Sequence, residues 1–71
     1  MSKEIVIYEN GIFTVTSKPD FDTPNFSILR LYAGRIDLAQ SYITNDATLE
    51  DELKLAKAML RGWLIDAERS V

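Results

Sequence analysis

Residues 4–17 read EIVIYENGIFTVTS, in which two runs of β-branched and aromatic residues flank an Asn-Gly pair. Such residues favour strands, and Asn-Gly tolerates the positive φ angles of a two-residue type I′ turn. The stretch therefore predicts a β-hairpin that turns at Asn10-Gly11.

The turn determines which side chains of this hairpin share a face. Two cross-strand pairs are expected on the face towards the core: Tyr8 with Phe13, and Val6 with Val15. Ile5 and Ile7 are then expected on the opposite face.

Residues 26–40, FSILRLYAGRIDLAQ, predict a second hairpin, which turns at Ala33-Gly34. Three pairs are expected from that turn: Leu31 with Ile36, Leu29 with Leu38, and Arg30 with Asp37. Ala33 resists positive φ, so a longer turn or a bulge is an alternative. A rival interpretation makes residues 35–43 a short helix, because their apolar residues also fit helical spacing.

Residues 49–70, LEDELKLAKAMLRGWLIDAERS, follow a turn at residues 45–48 and predict an amphipathic helix. Thr48 and Asp51 have the spacing of a capping box, with Asp in place of Glu. At 3.6 residues per turn, one face collects the main apolar residues: Leu49, Leu53, Ala56, Leu60, Trp63, Leu64 and Ala67. Leu55 and Met59 lie beside this face.

The predicted fold is a single α+β domain over residues 1–71: a four-stranded antiparallel meander of two hairpins, with the C-terminal helix packed on one face. Four strands make a sheet about 19 Å wide, whereas one helix is about 10–12 Å across. Part of the sheet is therefore expected to stay uncovered, and exposed apolar patches tend to mark interfaces. The candidate partner-binding residues are Ile5, Ile7, Phe21, Phe26, Ile28, Tyr32, Leu55 and Met59.

The connection between the hairpins, PDFDTP at residues 19–24, contains two carboxylates that resemble the start of a calcium loop. Pro24 and Leu31 occupy positions where that loop needs oxygen ligands, so the pattern fails. The two prolines predict a stiff connection outside the strand ladder. Whether Phe21 folds onto the core or projects towards a partner stays open.

The chain of 71 residues contains no cysteine and no histidine. It therefore lacks an imidazole base, a thiolate nucleophile and the ligands of a Cys/His zinc site. It also lacks a glycine-rich phosphate loop. These absences predict a protein without catalytic activity, cofactor or metal.

The formal net charge of −3 argues against a general nucleic-acid binder, which needs a basic face. The N-terminal apolar run is too short for a signal sequence or a membrane span, so a cytoplasmic protein is expected. The alternative, a nucleic-acid contact, would use the basic residues: Arg30, Arg35, Lys54, Lys57 and Arg61.

These observations predict a non-enzymatic protein–protein interaction module. Its size and lack of catalytic groups suit a small inhibitor or adaptor of a larger complex, such as an anti-defence protein of a virus or mobile element. A chain of this size has a thin core, and the formation of a homodimer is therefore also expected as a source of stability. The competing hypothesis is a small domain that associates with nucleic acid or mimics it.

Overall fold

The computed structural model describes residues 4–20 and 22–69. The elements are β1 (Ile5–Asn10), β2 (Phe13–Pro19), β3 (Phe26–Ala33), β4 (Ile36–Thr44) and α1 (Leu49–Arg69). The four strands form one antiparallel sheet in the order β1-β2-β3-β4, and α1 packs on one face of it. The predicted α+β meander is confirmed, and the helical alternative for residues 35–43 is wrong. No described helix combines the length and apolarity needed to cross a membrane.

The first hairpin turns one residue later than predicted. Asn10 pairs with Phe13, so Gly11 and Ile12 form the two-residue loop. Gly11 has a φ of 62° and no described non-glycine residue has a positive φ, which is the pattern of a type II′ turn with glycine first. The expected pairing of Tyr8 with Phe13 is therefore wrong.

β1 contains a bulge at Ile7, where its pairing with β2 shifts by one residue. Below the bulge Val6 pairs with Thr16 and is 56% exposed, while Ile5 pairs with Ser17. Ile7 itself packs against the core. Because a one-residue slip moves side chains to the other face, the predicted faces of Val6, Ile5 and Ile7 are wrong.

The second hairpin repeats this arrangement. Ala33 pairs with Ile36, and Gly34 (φ 63°) is the first residue of a loop with Arg35. The strained position falls on glycine, so Ala33 stays in the strand. The predicted pairs are wrong in consequence: Leu31–Ile36, Leu29–Leu38 and Arg30–Asp37.

β4 also contains a bulge, which leaves Leu38 without a cross-strand partner in the ladder. Beyond it, Tyr42 pairs with Ile28 on the face without the helix, and Ile43 lies on the core side. Without the bulge, strict alternation along β4 from Ile36 would place Tyr42 on the core side and Ile43 on the open side. The bulge at Leu38 exchanges these two faces. Both edge strands of the sheet therefore carry one extra residue.

The core lies between α1 and the two central strands. Its buried members are Val15, Leu29, Leu31, Ala56 and Leu60. The half-buried apolar residues packed against them are Ile7, Tyr8, Phe13, Leu38, Ala39, Ile43, Leu55, Met59 and Trp63. The rings of Phe13 and Trp63 meet with centroids 5.6 Å apart and planes tilted by 58°, an arrangement favoured for aromatic pairs. This contact joins the first hairpin to the C-terminal half of α1.

The start of α1 has the predicted capping box. The Asp51 N–H donates to Thr48 Oγ1 at 3.2 Å, and the Thr48 N–H donates to Asp51 Oδ2 at 3.2 Å. The apolar face of the helix is turned towards Met59 relative to the prediction. Leu49 and Leu64, expected on the core face, are 60% and 42% exposed.

Candidate functional site

The face of the sheet opposite α1, called here the open face, carries four rows of paired side chains. From the hairpin turns to the far end, these rows are Glu9–Thr14–Tyr32–Asp37, Val6–Thr16–Arg30–Gln40, Lys18–Ile28–Tyr42 and Phe26–Thr44. The first two rows are mainly polar, and the last two contain most of the aromatic and apolar surface. The open face therefore has a polar half and an apolar half.

The polar half is organised around the carboxylate of Glu4. Thr16 Oγ1 donates to Glu4 Oε2 at 2.6 Å, and Tyr32 Oη donates to the same oxygen at 3.0 Å. The hydrogen bond from Thr16, the one from Tyr32 and the positive charges of Arg30 and Lys18 hold the pKa of Glu4 below its ordinary value, despite some opposing desolvation. These contacts tie the segment before β1 to β2 and β3.

Arg30 lies beside this network. Its contact with the hydroxyl of Tyr32 raises the pKa of the guanidinium, which stays a cation. Within residues 4–20 and 22–69, Arg30 Nε is a buried side-chain nitrogen without a hydrogen-bond partner. Buried polar atoms normally have one. The polar half of the open face thus contains a cation whose Nε has no hydrogen-bond partner among the described residues.

The apolar half contains a shallow depression of about 280 Å³ lined by Thr23, Phe26 and Tyr42. Tyr42 is 54% exposed, whereas Ile28 beside it is only 8% exposed. Its position in the pairing puts Ile28 between Lys18 and Tyr42, and long amphipathic side chains cover apolar surface in this way. The depression therefore offers the exposed ring of Tyr42 and the half-buried ring of Phe26.

The connection between β2 and β3 borders this depression and is held by local hydrogen bonds. The Asp22 N–H donates to Asp20 Oδ1 at 3.1 Å, and the Asp20 N–H donates to the Phe26 carbonyl at 3.0 Å. One Asp20 oxygen is thus committed to the loop backbone. The prediction for Phe21 falls outside the described residues.

Asn45, which follows β4, fastens the same connection. Its Nδ2 donates to the Pro24 carbonyl at 2.9 Å, and its N–H donates to the Asn25 carbonyl at 3.0 Å. Pro19 pairs with Ser27 in the ladder, so the prediction that the whole connection lies outside the ladder is wrong. The two hairpins are joined at this end by backbone hydrogen bonds.

A second concave surface, called here the β1–α1 groove, lies between the edge strand β1 and the C-terminal half of α1. Its volume is about 320 Å³. The apolar side chains that line it are Tyr8, Leu60, Leu64 and Ile65, and the charged ones are Lys57, Arg61 and Glu68. Leu64 and Ile65 are 42% and 41% exposed. This groove was not predicted from the sequence.

The candidate partner-binding residues do not form one surface. Phe26, Ile28 and Tyr32 lie on the open face as expected. Ile5 is 56% exposed but lies on the helix side of β1. Three others are half-buried against the core: Ile7, Leu55 and Met59. The sequence reasoning missed Tyr42, Leu64 and Ile65, because the first depends on the β4 bulge and the other two on the rotation of α1.

The five basic candidates for a nucleic-acid contact are also dispersed. Arg30 lies on the open face, Arg35 lies in the second turn, and Lys57 and Arg61 line the β1–α1 groove on the other side of the sheet. Lys54 is exposed on α1. In the described part of the chain, no group of three or more acidic side chains is placed to hold a metal ion.

Comparisons with protein-family models, with curated proteins and with solved structures gave no significant match to this chain.

Proposed function

We propose that this chain is a non-enzymatic protein-binding module, and that it contacts its partner through the open face. The observation that carries the proposal is the neighbouring placement of four residues on one face of the paired strands β3 and β4, the face that α1 does not cover: Phe26, Tyr42, Tyr32 and Arg30. Aromatic residues and arginine are enriched at the energetic centres of protein interfaces.

Because the open face has an apolar half and a polar half, the proposed interface combines apolar and polar contacts. A partner side chain that enters the depression by Tyr42 and Phe26 would remove apolar surface from water. Beyond it, Arg30 can bind a carboxylate or a carbonyl of the partner through its guanidinium. Asn45 holds the loop beside the depression through one side-chain and one backbone hydrogen bond. Such preorganisation would reduce the entropy lost on binding.

A small rigid face of this kind fits an inhibitor or adaptor that occupies a surface of a larger protein. The acidic balance of the chain, −3 overall, would favour encounter with a partner of basic surface charge. A nucleic-acid contact has less support, because the five basic candidates lie on different surfaces.

The test is affinity capture from the cells that carry the gene, quantified by mass spectrometry. The immobilised wild type is compared with Tyr42→Asp and with a matched control, Leu49→Asp. Both residues are more than half exposed, at 54% and 60%, but Leu49 lies at the start of α1 and away from the open face. Thermal melting of the three proteins confirms that each is folded.

We expect a protein that is captured by the wild type and by Leu49→Asp and is lost with Tyr42→Asp. Reconstitution of the purified pair should then show a weaker affinity for Arg30→Gln. Equal capture by all three folded proteins would refute the open face as the binding surface.

A further inference from the structure

We propose that the β1–α1 groove is the interface of a symmetric homodimer, in which a second copy of the chain fills the groove. The proposal concerns a different surface from the open face and does not depend on the proposed function. Three features of the groove support a second copy as its occupant: an unpaired strand edge, a fitting apolar group and a self-complementary order of charges.

The first of these features is the outer edge of β1. Among the residues that the structure describes, β1 ends the sheet on the groove side, and its outer edge carries backbone N–H and C=O groups that pair with no other described strand. Such edges readily pair with another strand where they are regular, and the bulge at Ile7 divides this edge into two regular stretches, residues 5–6 and 8–10. Antiparallel pairing of β1 with β1 of a second copy has two-fold symmetry, which closes the assembly as a dimer. The open edge then disappears in both copies.

The apolar group is Ile5. It lies on the helix side of β1 and is 56% exposed, at the end of the strand away from the groove. Antiparallel pairing centred between Ile7 and Tyr8 places Ile5 of the second copy opposite Asn10. Asn10 is the next residue after Tyr8 on the helix side of β1, and Tyr8 lines the groove with Leu64 and Ile65. Each copy therefore offers both the inserted side chain and the site that receives it, as a two-fold interface requires.

The charges follow the same symmetry. Along α1 the groove carries Lys57 and Arg61 on one side of Leu64 and Ile65, and Glu68 on the other. Two antiparallel copies centred between residues 62 and 63 place Lys57 of each against Glu68 of the other. Tyr8 lines the groove together with Leu60 and Leu64, so the middle of β1 and this centre of α1 lie at the same level. The same two-fold axis therefore relates the two paired β1 strands and the two pairs of Lys57 with Glu68.

The first experiment is sedimentation equilibrium of the wild type from micromolar to near-millimolar concentration, which should show a monomer–dimer equilibrium. Ile65→Asp should raise the dissociation constant by about tenfold or more, as expected for an apolar group at the centre of an interface. The matched control is Ile36→Asp, because Ile36 is exposed (66%) in the second hairpin, on the far edge of the sheet. Its dissociation constant should equal that of the wild type.

The second experiment uses the charge pair. Lys57 and Glu68 are eleven residues apart on one helix, about 16 Å along its axis, so they cannot pair within one chain. Lys57→Glu and Glu68→Lys should each weaken the dimer about threefold to tenfold. An equimolar mixture of the two single variants should form a mixed dimer in preference to either homodimer, because only the mixture pairs opposite charges on both sides of the axis.

A wild type that remains monomeric over the whole concentration range overturns the proposal. A dimer that is equally strong in Ile65→Asp and Ile36→Asp, or a mixture of charge variants that shows no preference for the mixed dimer, also overturns it. In those cases the groove is left to another kind of occupant. None of these outcomes bears on the capture experiment, since Tyr42 lies on the opposite face of the sheet.

Discussion

Leu29 and Ile28 are neighbours on β3, and both are nearly removed from water, at 0% and 8% exposure. Leu29 lies on the face covered by α1, whereas Ile28 lies on the open face, where its partners in the ladder are Lys18 and Tyr42. A side chain that is buried under a helix is packed on all sides. A side chain that is covered by long, partly exposed side chains has neighbours that can change conformation. We infer that the covered face supplies most of the stability and leaves the open face free to vary for binding.

Truncation of these two neighbours gives the largest expected difference. Leu29→Ala should lower the free energy of unfolding by about 2–5 kcal/mol, because the covered face cannot collapse into the cavity. Ile28→Ala should cost about 2 kcal/mol or less, because the exposed side chains around it can close the gap. Chemical denaturation of both variants measures the difference, and equal losses would contradict the comparison.

Destabilising α1, the helix that covers the core face of the sheet, should have the next largest effect on the free energy of unfolding. Thr48→Ala removes the hydroxyl that accepts from the Asp51 N–H at the start of α1, and the free energy of unfolding should fall by about 1 kcal/mol. Glu50→Gln is the control in the same helical turn, since it removes a charge but no capping bond, and should cost less. A neutral Thr48→Ala would mean that the capping box adds no stability.

Stabilising α1 should change the free energy of unfolding by a similar or smaller amount in the opposite direction. Gly62 lies on the exposed side of α1, and a Cβ there would meet nothing within 4 Å. Gly62→Ala should therefore raise the free energy of unfolding by up to about 1 kcal/mol. Gly34→Ala meets equally open space but requires φ of 63° from alanine, and it should destabilise the chain. Stabilisation by both substitutions would contradict the backbone argument.

The smallest effect is expected on the open face. The pKa of Glu4 is lowered in the folded chain, chiefly by its hydrogen bond from Thr16. Its contribution is therefore complete above the unfolded pKa of about 4.3 and disappears as the pH falls through the lower folded value. Since Glu4 is exposed, the contribution should be at most about 1 kcal/mol.

Urea titrations at several pH values test this expectation. Glu4→Gln should lower stability slightly at pH 7 and should flatten its decline between about pH 5 and 3. A control, Glu9→Gln, changes a nearby exposed acid on β1 and should keep the slope of the wild type. An unchanged slope in Glu4→Gln would show that the network around Glu4 does not contribute to acid sensitivity.

Local residue chemistry was enough to predict the elements of the fold. The Asn-Gly and Ala-Gly pairs marked both hairpins, and Thr48 with Asp51 marked the start of α1. The exact pairing was not predictable in this way, because each turn uses glycine as its first loop residue, one position away from the preferred Asn-Gly geometry of a type I′ turn. A shift of that size changes every cross-strand pair.

The surfaces were predicted less well than the elements. The bulges at Ile7 and Leu38 lie in the two edge strands, where an extra residue is tolerated and increases the local twist, and strict alternation gives no signal for them. They reversed the faces of Ile5 and Tyr42. The β1–α1 groove depends on the rotation of α1 about its axis, which the helical pattern alone does not determine.

The strand order β1-β2-β3-β4 has a consequence for the speed of folding. Every strand pairs with its neighbour in sequence, so the chain can form each hairpin without a long-range search. Isolated hairpins form in about 1–10 μs, and proteins with mostly local contacts fold faster than those with distant pairings. The slow step is then expected to be the docking of α1, which brings Trp63 back to Phe13 from fifty residues away in sequence.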